Sequence, residues 1–464
     1  RFSLGGIMRK RRAQKLIIVN LSILLAIGII VVAVLLLKNY LPDLTGNSSI
    51  AGERAKDKKK PDKKLTAEER KAEMLKKVDQ LLEDTDRLVM GCNFEQATVK
   101  VDEALKLDAK NEKALAKKAE IQTAQNNLVE YTGDVTQVFF HELIVDPTIV
   151  FGKKNGDPGG HNSVMTTLSE FNKIMDQMYA KGYMLVYFRD LYDVTVDSAG
   201  TKTFTKKPLM LPAGKIPFIM SEDDVAFYRK TRIAIGGYGQ KYVLDKEGKV
   251  KVLYKDKDGK ELIGDYDVLP ALETFVEKHP DFSYKNARAY IGLTGFDGAF
   301  GYRINRDSAN SPTYKEDIEM VKKIAEAAKK QGFEFACHSY AHGNQQNESI
   351  EFLDADTKQW IKEIGDIVGS SDVYILPKGN WWFTKKWTIN SPETQGRFNN
   401  MAAHGFNFIC GVGMDAYRKE YPNYVFMDRY NFDGFAMYHN KERLVKFFDV
   451  DTVWDSLRPG NLGL

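Results

Sequence analysis

The stretch KKIAEAAKKQGFEFACHSYAHG, residues 322–343, decides the fold class. Its first part belongs to a helix predicted over 313–331, with Ile318, Val321, Ile324, Ala325 and Ala328 on one apolar face. Gly332 stands where such a helix stops. FEFAC then reads as a short strand. Two of the chain's seven histidines, His338 and His342, follow at once. Chance would supply only about 0.1 such pairs at this histidine content. On a helix, positions i and i+4 share a face, so both imidazoles can address one atom. That geometry suits a metal ion. The plain alternative is two packed or solvent-facing histidines.

The same alternation recurs upstream. VTQVFFHELI (135–144) reads as a strand containing His141. Thr167 and Glu170 then cap a helix whose inner face is Leu168, Phe171, Ile174, Met175 and Met178, closed by Gly182. YMLVYF (183–188) and IPFIM (216–220) are further strands, and the second runs into SEDDV. KYVLDKEGKVKVLYKDKDGKELI (241–263) alternates and turns twice at glycine, as a strand meander does. Strands alternating with helices imply an α/β unit with a largely parallel sheet. Sites in such sheets gather at the carboxyl ends of strands. Asp223, Asp224 and His338 all fall at such ends.

Length and composition bound the rest. The chain of 464 residues suggests about three units. Its 43% hydrophobic and 28% charged residues are ordinary for a globular protein. A net charge of +4, with no basic stripe interleaved with aromatics, gives no nucleic-acid signature. Cys92, Cys337 and Cys410 are too few and scattered for a disulfide framework or a cysteine zinc site.

Residues 16–37, LIIVNLSILLAIGIIVVAVLLL, run for 22 residues without a charge, long enough to span a bilayer. The flank 1–15 carries five Lys or Arg between Arg9 and Lys15, which places it in the cytoplasm and the remaining chain outside. The run exceeds a signal-peptide core and no A-x-A cleavage site follows, so an uncleaved anchor is expected. Residues 38–64 form a charged linker. Over 65–130 the pattern is helical: Thr66 and Glu69 are spaced as a capping box, and Leu75, Val78, Leu81 and Leu82 mark a stripe. The next segment resembles a tetratricopeptide repeat at Phe94, Ala97, Ala104, Leu105, Leu107 and Ala114. A single such unit suits a short helical stalk or a docking module for a protein partner, which the segment itself does not name.

Residues 131–464 resemble the polysaccharide deacetylase (NodB-homology) family, in particular its circularly permuted poly-N-acetylglucosamine deacetylase branch. That family's Asp-Asp pair matches Asp223 and Asp224, and its H-[ST]-x-x-H motif matches His338, Ser339 and His342. YILPKGN keeps the proline of the family's substrate loop at Pro377 but lacks its arginine and aromatic. VFFHELI resembles the branch's opening strand, with His141 in the histidine place. The region around 231–300 looks like an insertion between the two strongest motifs. The resemblance implies a deformed (β/α) barrel acting on an acetylated cell-surface polysaccharide.

It also implies roles that suit these side chains. Asp224, His338 and His342 would hold a divalent metal, zinc first, with cobalt, nickel or iron also acceptable to such a set. Asp223 would be the general base, since neighbours on an extended chain point apart. A backbone N–H at Lys378 would stabilise the oxyanion. His141 would protonate the leaving amine, with His439 as its rival. Asp415 and Arg429 are candidates to orient Asp223. Trp381, Trp382 and Trp387 suit either sugar stacking or core packing, and Glu222 should face away from the site. Residue 339 is serine, so the HExxH metalloprotease reading fails. The expectation is a membrane-anchored extracellular deacetylase removing N-acetyl or O-acetyl groups. A catalytically impaired glycan-binding pseudoenzyme and an envelope assembly protein built on the helical module are the other classes.

Overall fold

The structure is a computed structural model that describes residues 66–152, 160–198, 200–379, 381–383 and 388–460. The basic flank, the expected membrane span at 16–37, the linker and Trp387 lie outside the described residues. Among the described residues no helix is long and apolar enough to cross a membrane.

Three helices come first. The Thr66 hydroxyl accepts the Glu69 N–H and the Glu69 carboxylate accepts the Thr66 N–H, the reciprocal cap that starts α1 (Ala67–Met90). α2 (Phe94–Leu107) and α3 (Glu112–Asn126) pack with it around Val78, Leu81, Ala97, Val101, Ala104 and Ala114. Leu75 is 41% exposed, because the buried part of the α1 stripe begins only at Val78. The turn after α1 rests on the α/β part: Gly91 accepts the Lys285 N–H at 2.7 Å. A Cβ on Gly91 would lie 2.9 Å from the Ser283 carbonyl oxygen, so glycine permits this close approach.

The α/β part opens with β1 (Thr136–His141), α4 (Leu168–Ala180), β2 (Tyr183–Leu185) and β3 (Ile216–Asp223). Phe171, Ile174, Met175 and Met178 of α4 are buried as the helical spacing requires. A three-stranded antiparallel meander follows: β4 (Gly239–Leu244), β5 (Val250–Lys255) and β6 (Glu261–Gly264). Next come α5 (Val268–Lys278), β7 (Tyr290–Leu293), α6 (Tyr314–Gln331), β8 (Glu334–Cys337), α7 (Ile350–Trp360), β9 (Val373–Ile375), α8 (Pro392–Ala403) and β10 (Phe408–Cys410). The chain ends its sheet with β11 (Arg418–Glu420), β12 (Val425–Met427) and β13 (Tyr430–Asn431).

The main sheet has ten strands in the order β11-β12-β10-β9-β8-β7-β3-β1-β13, with β2 also on β3. All its pairs are parallel except β11–β12. β12 and β13 sit near opposite ends of that order, yet only Asp428 and Arg429 separate them in the chain. Three Cα–Cα steps span at most about 11 Å, so the sheet must curl back on itself. The result is a curled, incomplete barrel.

The insertion expected around 231–300 needs correction. Among the described strands of that region, only those of the meander stand apart from the main sheet. β7 pairs with β3 on one side and β8 on the other, so it is a central barrel strand. Parallel strands buried on both faces carry no alternation, and four residues of apolar sequence are a weak signal.

Candidate metal centre

The parallel strands point their carboxyl ends to one rim, where β1 ends at His141 and β3 at Asp223, in register with each other. β8 ends just before His338, whose N–H donates to the Leu293 carbonyl at the end of β7. β9 leads into the Pro377 loop at the same rim.

Asp223 and Asp224 do not diverge as neighbours on an extended chain would. Asp224 adopts a left-handed backbone, φ 66°, which breaks the alternation. Asp223 Oδ2 comes within 3.9 Å of His338 Nε2, and Asp224 Oδ1 within 3.6 Å of the same nitrogen. The turn is tied on both sides. Glu142 Oε1 accepts the Ala226 N–H at 3.0 Å and the Phe227 N–H. Arg303 donates to the Ala226 and Phe227 carbonyls at 2.9 and 2.7 Å. Arg232 Nε donates to Glu142 Oε2 at 2.7 Å and opposes burial, which pushes the Glu142 carboxyl up to about 8.

The histidine pair lies on a loop, not on a helix. Its rings converge because Ser339 and His342 are left-handed, with φ of 62° and 50°. The buried Asp356 of α7 clamps the loop by accepting the Tyr340 and Ala341 N–H groups at 2.9 and 2.8 Å. His338 Nδ1 donates to the Ile375 carbonyl at 3.0 Å, which leaves the Nε2 lone pair for the cluster. His342 Nε2 lies 3.4 Å from Asp224 Oδ1.

Asp224, His338 and His342 each offer a ligand atom, all within 4.8 Å of one another. Tetrahedral bonds of about 2.0–2.1 Å place ligand atoms about 3.3 Å apart. The separations of 3.6 and 3.4 Å from Asp224 Oδ1 match that figure, so the set is compatible with a divalent cation.

The electrostatics agree. Burial works against ionised Asp224, but His342, His338 and His141 outweigh it and hold the carboxyl well below its usual range. Burial pushes His342 down; Asp224 opposes this, and His338 and Lys378 add to it. Burial also opposes ionised Asp223; Arg429 and then His338 reverse it and keep the carboxyl lowered.

Arg429 is the residue at the barrel seam. It is fully buried, donates Nη1 to Asp223 Oδ1 at 2.7 Å and Nη2 to Oδ2 at 2.9 Å, and also binds Ser221 Oγ and the Gly411 carbonyl. Its guanidinium lies 4.1 Å from the centroid of the Phe139 ring. Asp415 does not join it: that side chain is exposed and accepts the Ala416 N–H.

His141 is anchored by a 2.9 Å bond between Nδ1 and the Val164 carbonyl, close enough for its charge to act on Asp223 and Asp224. Lys378 is exposed beside His342. His439 sits exposed on the short helix Gly434–His439, packed on Phe435 and Tyr438, and is not brought to the cluster. Trp382 is core, against Tyr374 and Phe398, while Trp381 is half-buried and stacked on Tyr417. Glu222 is fully buried, and burial followed by Asp267 raises its pKa well above the ordinary value.

Glu142, Asp356 and Tyr228 were not visible as site residues in sequence. Tyr228 donates its hydroxyl to Asp224 Oδ1 at 2.8 Å. None belongs to a spaced motif, and each reaches the site through a contact that only folding makes.

No family model matches this chain, and no curated protein matches it. Two solved structures resemble it. One is the Streptococcus pyogenes deacetylase PplD in complex with acetate, 9% identical over 68% of this chain and 98% of that one, with a TM-score of 0.35. The other is a candidate polysaccharide deacetylase from Mycobacterium smegmatis, 14% identical over 34% of this chain and 44% of that one, with a TM-score of 0.22. Likeness at this level transfers no residue role.

Proposed function

We propose that this protein is a metal-dependent carbohydrate deacetylase. The observation that carries the reading is the pairing of two kinds of group at one rim. Asp224, His338 and His342 stand at cation-ligand spacing, and a separate carboxylate, Asp223, is kept ionised beside them by a buried arginine. A divalent cation held by the three ligands would supply Lewis acidity to an acyl carbonyl and to water.

The chain's own residues do the rest. Asp223 cannot swing away from the ligands, because both its oxygens are held by Arg429. It accepts a proton from water as general base. His141, in register across the sheet, donates a proton to the departing amine or alcohol. The Lys378 loop supplies a main-chain N–H toward the developing oxyanion.

The substrate class is an acetylated surface glycan, N-acetyl or O-acetyl. Zinc is the first choice of cation, since one carboxylate and two imidazoles suit it. The uncharged run at 16–37 and its basic flank support an anchor with the catalytic part outside the membrane. The three N-terminal helices are the candidate docking module.

Metal content and acetate release from N-acetylglucosamine oligomers test the reading, with Asp223→Asn as control. The expected result is one cation per chain, and hydrolysis lowered by about 10²–10⁴-fold in the variant with the cation retained. A bound cation without acetate release would point to a glycan-binding pseudoenzyme. No bound cation would overturn the proposal.

A further inference from the structure

The turn after Asp224 brings back a side chain four residues on. Tyr228 donates to Asp224 Oδ1 at 2.8 Å, and its oxygen also lies 2.9 Å from Thr294 Oγ1. Oδ1 is the oxygen that faces both His338 Nε2 and His342 Nε2. The hydroxyl therefore touches the very atom that would meet a cation.

The placement is held from three directions. Thr294 is fully buried and follows β7, the central strand beside β3. The Tyr228 ring packs on Phe296 with centroids 4.9 Å apart. The main chain before it is fastened by Glu142 and Arg303. A tyrosine serving only as core filling would not need its polar tip on a ligand oxygen, with a second hydroxyl bracing it.

We propose that Tyr228, braced by Thr294, is a positioning residue of the cation site, fixing the orientation of the Asp224 carboxylate so that Oδ1 is presented to the ion. The inference rests on the metal-site reading above. Tyr228 itself stays off the reacting atoms. Partners of this kind hold a ligand's orientation, and their loss typically weakens metal affinity about 10–100-fold.

The test is zinc titration of the chelator-stripped full chain against a competing indicator dye, for the parent, Tyr228→Phe and Thr294→Val. Tyr228→Phe keeps the ring and removes the bond. It should raise the zinc Kd about 10–100-fold at unchanged stoichiometry, and Thr294→Val should raise it less. Hydrolysis by Tyr228→Phe should recover when zinc is in excess, which a damaged fold would not allow. Parent-like affinity in Tyr228→Phe overturns this inference alone. A parent chain that takes up no zinc overturns the metal reading itself, and this one with it. If Tyr228→Phe does not fold, parent-like affinity in Thr294→Val overturns the proposal.

Discussion

Arg429 and Asp223 stand 206 residues apart, and their side chains meet in two parallel hydrogen bonds of 2.7 and 2.9 Å. Both are buried, so neither charge has solvent to fall back on. Arg429→Ala should destabilise the fold by about 3–5 kcal/mol, because it strands a buried carboxylate. Combining it with Asp223→Asn should cost less than the two single changes added together, since the stranded charge is then gone. Urea unfolding of the four proteins measures this; strict additivity would contradict the pairing.

His141 is assigned to the leaving group, and that role depends on the leaving group's basicity. His141→Ala should slow acetate release from an N-acetylated sugar by about 10²–10⁴-fold. An aryl acetate leaves as a stabilised phenolate and should be affected far less. Equal losses on both substrates would remove His141 from the acid role.

Glu142 is fully buried, and its oxygens hold the turn behind Asp224 as well as Arg232. Glu142→Ala should cost about 3–5 kcal/mol by leaving the buried Arg232 guanidinium without its acceptor. Cation affinity should fall with it, because the left-handed turn at Asp224 loses its N–H acceptor. Unchanged zinc affinity in a folded variant would mean that the turn holds without Glu142.

Asp428 lies at the barrel seam, and burial pushes its carboxyl up to about 7. The unfolded chain releases that proton near the ordinary value of about 3.9. Between those values the folded state binds more protons, so this residue's contribution to stability falls as pH rises from about 4 through 7. Asp428→Asn removes that loss. Its stability relative to the parent should improve between about pH 4 and about pH 7, and a difference independent of pH would contradict the assignment.

Local chemistry made part of the site legible. Asp224 and His338 could be picked out because each stands just past a short apolar strand, and strand ends of a parallel sheet share one rim; His342 followed from its spacing to His338. The helix α4 was legible for a related reason: its capping pair and its apolar spacing are properties of one continuous segment. β7 was not, since its four buried residues owe their strand to β3 and β8 on either side. The histidine pair was found for its spacing, but the expected helical geometry was wrong. Two left-handed residues and the Asp356 clamp make the rings converge instead.

What the sequence determined by itself is therefore what short-range physics controls: caps, apolar faces, strand ends and the types of ligand placed there. What only the tertiary structure decided is which distant groups share the low-dielectric space around those ligands. Arg429 reaches Asp223 because the sheet curls until β12 and β13 are two residues apart. Glu142 and Tyr228 act on Asp224 because a left-handed turn folds the chain back onto it. Buried charges must find their partners wherever the curled sheet brings them, and no local spacing in the chain encodes that curl.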